Sequence, residues 1–289
     1  MITSDYPDNV FEYVGINESC LGLGFLLGPL AGAGLFLLLG FEGTFYASAG
    51  FYAVVGVVMF VLLGADREYR VVEQKGSFFS LAVKPVIAAT LTPLCFGMTA
   101  FSAQYVFLST HLVANGLSTA WVAAAFGITG AGYLVTCVVM AKTIERLNKR
   151  LVNIVAAFTC ALSMTLVGPW PDFIPEELGV ILLGFALMPL GLGTLFVEIV
   201  PSLLEVATQD LGLVADDKLV DKLAGIEQVV VSLGEFVGPL LQGALIPAIG
   251  LKLTCGLFCA AGLCVTVVYP LTLVALKRRS APLLSPLAS

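Results

Sequence analysis

The sequence predicts an all-α membrane protein, and two observations support that fold class. Hydrophobic residues make up 58% of the 289 residues and charged residues only 12%, whereas a soluble domain has about 25% charged residues. The apolar residues also fall in eight segments of the ~20 residues that an α-helix needs to cross a bilayer. We therefore expect eight transmembrane helices surrounded by lipid.

The eight predicted spans follow one another with mostly short polar connections. They cover residues 16–38, 44–64, 86–110, 119–141, 151–168, 178–204, 223–247 and 253–276. The first two spans are joined by the tight turn Gly40-Phe41-Glu42-Gly43, and the segment from Ser77 to Pro85 is expected along the membrane interface. No soluble domain is expected in any of the connections.

The Lys and Arg residues predict how the spans are oriented, because these residues are enriched in cytoplasmic connections. All but one of the 14 basic residues follow an even-numbered span, and the exception is Lys252. We therefore expect both termini and the even-numbered connections to lie in the cytoplasm. The net charge of −6 gives no reason to expect a nucleic-acid partner.

One short segment occurs twice and predicts a duplicated bundle. The first copy is Gly24-Phe25-Leu26-Leu27-Gly28-Pro29 with Gly32 after it, and the second is Gly234-Glu235-Phe236-Val237-Gly238-Pro239. Glycines four residues apart share a helix face and let another backbone come close, and the proline bends the helix. The copies lie six spans apart, so we expect a six-helix repeat unit and a chain that lacks the first four of twelve helices.

This duplication divides the chain into four parts. Residues 1–64 would be the last two helices of the N-terminal half, residues 65–85 a cytoplasmic linker, residues 86–276 a six-helix C-terminal half, and residues 277–289 a cytoplasmic tail. The chain carries no nucleophile elbow, Walker loop, H-E-x-x-H or C-x-x-C motif, so no enzyme activity, cofactor or metal is expected. Without a nucleotide-binding module, the energy source must be an ion gradient or the solute gradient.

Four acidic residues inside the predicted spans are the first candidates for function, because ionisable groups at membrane depth are costly and usually line a cavity or pair with another group. They are Glu18, Glu198, Glu227 and Glu235. Counting along the helices at ~1.5 Å per residue places the first three on one level, roughly 10 Å to the cytoplasmic side of the midplane. The alternative is that Glu18 and Glu198 lie near helix ends and extend to the interface.

Two further features of the spans are candidates for the site. The sixth span carries Pro189, Gly191 and Gly193, and interrupted helices tend to line transport sites; the alternative is that glycine and proline are simply common in membrane helices. Gln228 shares a helix face with Glu235, because seven residues make about two turns. A carboxyl group shielded from water can hold a proton in one state and an ammonium group in the other.

Several of these segments resemble the major facilitator superfamily. The two glycine–proline segments resemble the antiporter signature of its fifth and eleventh helices, and Glu145-Arg146-Leu147-Asn148-Lys149-Arg150 resembles the acidic–basic signature of the loop between helices 8 and 9. Three other segments resemble the vesicular amine and polyamine transporter branch, the solute carrier family 18-like proteins. They are Asn17-Glu18-Ser19, Ser77-Phe78-Phe79-Ser80-Leu81 and Leu166-Val167-Gly168-Pro169-Trp170-Pro171.

The resemblance implies that the eight spans are helices 5–12 of a twelve-helix fold. It also implies proton-coupled antiport of an organic cation, a polyamine or a monoamine, into a vesicle or out of the cytosol. At the place of an acidic residue of the branch the chain has Gln104 and Tyr105, which become candidate substrate-binding residues. Two alternatives stay open: a multidrug–proton antiporter, and a membrane scaffold or receptor that no longer transports.

Overall fold

The computed structural model describes residues 10–63 and 78–280. Within these two ranges the chain forms helices and no strand, which confirms the predicted all-α fold. Most of the predicted linker 65–85, with Arg67, Arg70 and Lys75, and the end of the predicted tail, 281–289, lie outside the described residues.

Eight α-helices follow one another in the described part of the chain. They are α1 Val10–Leu63, α2 Phe78–Ala82, α3 Pro85–Ala114, α4 Thr119–Thr143, α5 Lys149–Val167, α6 Leu178–Gln209, α7 Asp217–Ile249 and α8 Leu251–Ser280, with a 3₁₀ turn at Ile144–Arg146 between α4 and α5. All of them except the short α2 are long and apolar enough to cross a membrane.

The first helix, α1, contains two of the predicted spans, so the structure has seven apolar helices where eight spans were predicted. Its apolar part, 19–62, has 44 residues and would be ~66 Å long as one straight helix, about twice the hydrocarbon thickness. The helical backbone breaks at Gly40, which has φ 69° and ψ −172°, a conformation that favours glycine. The predicted turn over 40–43 is therefore a break at one residue, after which Phe41 and Glu42 are already helical.

A second glycine with a similar backbone conformation separates α7 from α8. Gly250 has φ 81° and ψ 165°. Gly40 lies eleven residues after Pro29, and Gly250 lies eleven residues after Pro239. The shared spacing extends the internal repeat from the glycine–proline segment to the backbone break that follows each copy.

Helix α6 occupies the centre of the bundle, where it lies against α3, α4, α5 and α7. Around it, α1 packs mainly on α4, α3 on α7, and α8 on α5 and α3. The largest fully buried side chains include Leu94, Met164, Leu192 and Ile199, from α3, α5 and α6. Many large apolar side chains stay exposed, including those all around the second half of α1 over residues 51–62, as expected for helices that contact lipid.

Small residues let α6 approach its neighbours closely. A Cβ atom at Gly184 would lie 2.7 Å from Leu166 Cβ, and one at Gly193 would lie 3.3 Å from Thr136 Cβ. The hydroxyl of Ser163 in α5 also donates a 2.7 Å hydrogen bond to the carbonyl of Gly184. Gly184, Gly191 and Gly193 are therefore packing positions, and the helix runs unbroken from Leu178 to Gln209 through both of its prolines.

The two glycine–proline segments differ in what they face. In α7, Gly234 and Gly238 lie against the backbone of α3, and Ser102 donates a 3.0 Å hydrogen bond to the carbonyl of Gly234. In α1, nothing lies within 4 Å of a Cβ atom built at Gly24, Gly28 or Gly32. Helix α1 instead meets α4 through two other glycines. Gly22 of α1 lies against the backbone of Leu134, and Gly130 of α4 lies against the backbone of Leu26.

Candidate functional site

Among the candidate acids whose side chains the structure describes, Glu198 is the one that is completely buried. Its exposed fraction is 0%, although its helix, α6, is long and apolar enough to cross a membrane. One turn further along α6, the hydroxyl of Ser202 donates a hydrogen bond to Oε1 of the carboxyl group. The other carboxyl oxygen, Oε2, has no hydrogen-bond partner in the described part of the chain.

Two side chains from neighbouring helices complete the surroundings of this carboxyl group. Asn153 of α5 lies beside Glu198 and is itself fully buried. Its Nδ2 atom donates a long hydrogen bond of 3.4 Å to the hydroxyl of Tyr269 in α8, while its Oδ1 atom has no partner among the described residues. We call Glu198, Ser202, Asn153 and Tyr269 the Glu198 cluster.

Ion pairs connect α5 and α6 just outside the Glu198 cluster. Lys149 Nζ lies 2.7 Å from Glu205 Oε2, and Arg150 Nη2 lies 3.4 Å from Asp210 Oδ2. Lys149 and Arg150 belong to the predicted loop signature and occupy the first turn of α5, where the Asn148 side chain caps the helix by accepting from the N–H groups of Arg150 and Leu151. We call this side of the bundle, where α5 begins and α6 ends, the basic end.

A group of aromatic rings lies between α1, α3, α4 and α6. Tyr105 of α3 is at its centre, with ring centroids 4.5 Å from Phe101, 4.9 Å from Phe126 and 6.3 Å from Phe185. Phe25 of α1 joins it at 5.9 Å from Phe101. These five residues form the aromatic cluster, and four of them are only half-buried.

Gln104, next to Tyr105 in α3, is not part of the aromatic cluster. Its side chain is completely buried, and neither its Oε1 nor its Nε2 atom has a partner among the described residues. The same holds for Gln242 of α7, whose two amide atoms are also buried and without partners in the described part of the chain. Each of these amides occupies an apolar interior without the hydrogen bonds that normally accompany burial.

The polar residues of α7 lie away from the Glu198 cluster. Glu235 and Gln228 are exposed, and Glu227 is half-buried. Gly234 and Gly238 on the same helix are buried against α3, which leaves Glu235 on the outward side. The described structure therefore does not gather the predicted carboxyl groups into one site: Glu198 stands with α5 and α8, and the α7 residues stand apart.

Two predicted residues have side chains outside the described part of the chain, namely Glu18 in α1 and Glu145 in the 3₁₀ turn. Three residues of the Glu198 cluster were missed: Asn153, Ser202 and Tyr269. Asn153 carried a signal, because it is an amide inside the apolar run of α5. Ser202 lies four residues after Glu198 and so shares its helix face, whereas nothing in the sequence indicates that α8 brings Tyr269 to the same place.

Comparison with known proteins identifies one family. A family model described as Major Facilitator Superfamily matches residues 2–215, about three quarters of the chain. The matched region contains the aromatic cluster, Glu198 and both ion pairs at the basic end. No curated protein matches the chain.

Proposed function

Because this chain belongs to the major facilitator superfamily, whose members move small solutes across membranes, we propose that it exchanges protons for an organic cation, either a polyamine or a monoamine. The chain is a multi-pass integral membrane protein. The finer proposal, of a proton-coupled antiporter for amines, rests on the charges and rings inside the bundle.

The observation that carries the proposal is the buried carboxyl group of Glu198. A charged carboxylate without a directly paired cation costs several kcal/mol when it is buried in an apolar span. Lys149, at the start of the neighbouring α5, is paired with Glu205 instead. Glu198 therefore has to hold a proton in this conformation or acquire a cationic partner in another, and this alternation is what proton coupling requires.

The distribution of charge favours a cationic solute. In the described spans, every Lys and Arg lies within the first two or last two turns of its helix, whereas Glu198, Glu227 and Glu235 lie further inside. An ammonium group in the interior would meet the buried Glu198, because Glu235 lies on the outward side of α7 and the Lys and Arg residues of the described spans lie toward the helix ends. An anion would be repelled by this acid when it is ionised, so anion transport is disfavoured.

The aromatic cluster supplies a surface that suits an ammonium group. The faces of Tyr105, Phe101 and Phe126 attract a cation within about 6 Å, a contact that contributes up to about 2 kcal/mol when water is excluded. We propose that the solute binds there. The basic end is proposed to face the cytoplasm, so the amine would be loaded into a vesicle or expelled from the cytosol.

A second candidate function is multidrug–proton antiport, and a specific feature favours it. A groove of about 410 Å³ between α3, α7 and α8 is lined almost entirely by apolar atoms, with Phe96, Leu241 and Phe258 among its walls. A flat hydrophobic cation would fit such walls better than a polyamine. Competition between labelled spermidine and tetraphenylphosphonium distinguishes the two functions, because only a multidrug site would bind both.

The test is amine uptake into proteoliposomes with an imposed pH gradient. We expect labelled spermidine to accumulate in liposomes that are acidic inside, and uptake to collapse with the gradient. Glu198→Gln should reduce the proton-dependent uptake at least tenfold. Glu176→Gln, which changes a surface acid at the opposite end, should keep the wild-type uptake. A protein that moves no member of a broad amine panel would refute the proposal and favour the scaffold alternative.

A further inference from the structure

Two buried acceptor atoms in the Glu198 cluster lack a donor among the described residues. Glu198 Oε2 and Asn153 Oδ1 are both buried and unpartnered in the described part of the chain, and the two side chains lie beside each other. A proton on Oε2 would turn the carboxyl group into a hydroxyl donor, which Asn153 Oδ1 could accept. One added hydrogen therefore satisfies both atoms.

We propose that Glu198, Asn153 and Tyr269 form a buried proton-binding site, and that Lys149 is shared between this site and Glu205, so that release of the proton loosens the ion pair at the basic end. The inference rests on the proposed proton coupling. In the step itself the Glu198 carboxylic acid loses H⁺ to water and becomes a carboxylate, while Lys149 stays an ammonium cation throughout.

The spacing along two antiparallel helices explains how one lysine can serve two acids. Glu198 and Glu205 are seven residues apart, about two turns, and therefore share a face of α6. Lys149 and Asn153 are four residues apart and share the facing side of α5. Lys149 thus lies opposite Glu205, and further in the Asn153 side chain, one turn along α5, meets that of Glu198, two turns along α6.

A negative charge on Glu198 would act on the charged and titratable groups that α5, α6 and α8 place around it. These groups are Lys149 and Arg150 in the first turn of α5, Glu205 in α6 and Tyr269 of α8, which accepts from Asn153. Of the two cations, Lys149 shares the helix face of Asn153, and its charge stands on a flexible four-carbon stem. A new negative charge at Glu198 would compete with Glu205 for that cation.

Helix α6 also separates the proton site from the aromatic surface while connecting them mechanically. Phe196 packs against Tyr133 of α4 at a ring distance of 6.2 Å, and Tyr133 is 5.6 Å from Phe25 of the aromatic cluster. Glu198, two residues further along, points about 200° around the helix toward α5 and α8. Proton and solute would then be coupled through movement of α6, with no need for them to compete for one carboxyl group.

Hydrogen exchange measured on the purified protein tests the sharing of Lys149. The readout is the protection factor of the backbone amides of residues 205–210 at acidic and at alkaline pH. In wild type we expect protection to fall about two- to fivefold at alkaline pH, the change expected on losing a partly exposed ion pair. Glu198→Gln cannot ionise and should hold the acidic-pH protection at both values.

Two controls keep the test decisive. Residues 172–178 adjoin the pairs that Lys252 forms with Asp172 and Glu176 at the other end, and their protection should not depend on Glu198. If Glu198→Gln fails to fold, Lys149→Met should show the low protection at both pH values. Equal pH dependence in wild type and Glu198→Gln, or none in wild type, would overturn the sharing of Lys149.

Infrared difference spectroscopy tests the proton site directly. A protonated carboxyl band should be present in wild type, absent in Glu198→Gln and shifted in frequency in Asn153→Leu, because Asn153 is a positioning residue that accepts from the acid. Absence of the band in wild type would refute the site. A protein with the band but no amine transport would refute only the proposed solute, and proton-coupled transport without the exchange effect would refute only the lysine sharing.

Discussion

The close approach of α7 to α3 gives a prediction whose magnitude follows from the structure. A Cβ atom at Gly238 would lie 2.5 Å from Thr99 O and 2.8 Å from Ala103 N, and would also meet Ser102 Oγ. Gly238→Ala would therefore force the two helices apart by roughly 1 Å to restore ordinary contact distances. Overpacking of this kind costs about 1–3 kcal/mol.

Two further contributions adjust this figure. Separation of the helices would also break the Ser102–Gly234 hydrogen bond, which is worth about 0.6 kcal/mol between membrane helices. Alanine is favoured over glycine in a helix by about 1 kcal/mol, which offsets part of the loss. The expected net effect of Gly238→Ala is a decrease of about 0.5–2.5 kcal/mol in the free energy of unfolding.

Reversible unfolding in mixed detergent micelles, titrated with SDS, measures this decrease. Gly243→Ala is the matched control, because it lies on the same helix and nothing is within 4 Å of its Cβ position; it should raise stability by up to about 1 kcal/mol. Gly28→Ala, at the matching position of α1, should behave like the control. If Gly238→Ala is as stable as Gly243→Ala, the described contact between α3 and α7 is wrong.

Three other predictions concern α5, α6 and α3. Gly191→Ala should lower the free energy of unfolding by about 1–3 kcal/mol, because its Cβ would lie 2.6 Å from Cys160 Sγ. The control Gly179→Ala, with nothing within 4 Å of its Cβ position, should be nearly neutral. Equal stability of the two variants in SDS titrations would contradict this. Gln104→Leu should raise stability by about 1–3 kcal/mol, because it removes a buried amide without partners; a loss of stability would mean that the amide is satisfied by something bound. Lys149→Met should cost less than about 1 kcal/mol, because its ion pair with Glu205 is partly exposed; a loss of several kcal/mol would contradict that assignment.

Most of the fold could be predicted because lipid imposes a simple rule on the sequence. A membrane helix must be apolar for ~20 residues, so the six apolar helices from α3 to α8 lie within a few residues of their predicted spans. The first two spans show where the rule fails. Glycine at position 40 allows a break of one residue, and hydropathy cannot distinguish such a break from a longer turn.

The candidate site was less predictable, because burial depends on which helices become neighbours. Glu198 and Glu235 look alike in the sequence, yet one is completely buried and the other exposed. The periodicity places each residue on a face of its helix without naming the helix that covers that face. Tyr269 illustrates the limit, since its role beside Asn153 depends on α8 packing against α5.

The central claim is that Glu198 couples proton movement to amine movement. The most direct measurement is proton release into lightly buffered medium when spermidine is added to the outside of acid-loaded proteoliposomes, followed with an external pH-sensitive dye. Wild type should release protons in proportion to the amine taken up, and Glu198→Gln should release none above the leak. Proton release that persists undiminished in a folded Glu198→Gln protein would contradict the account.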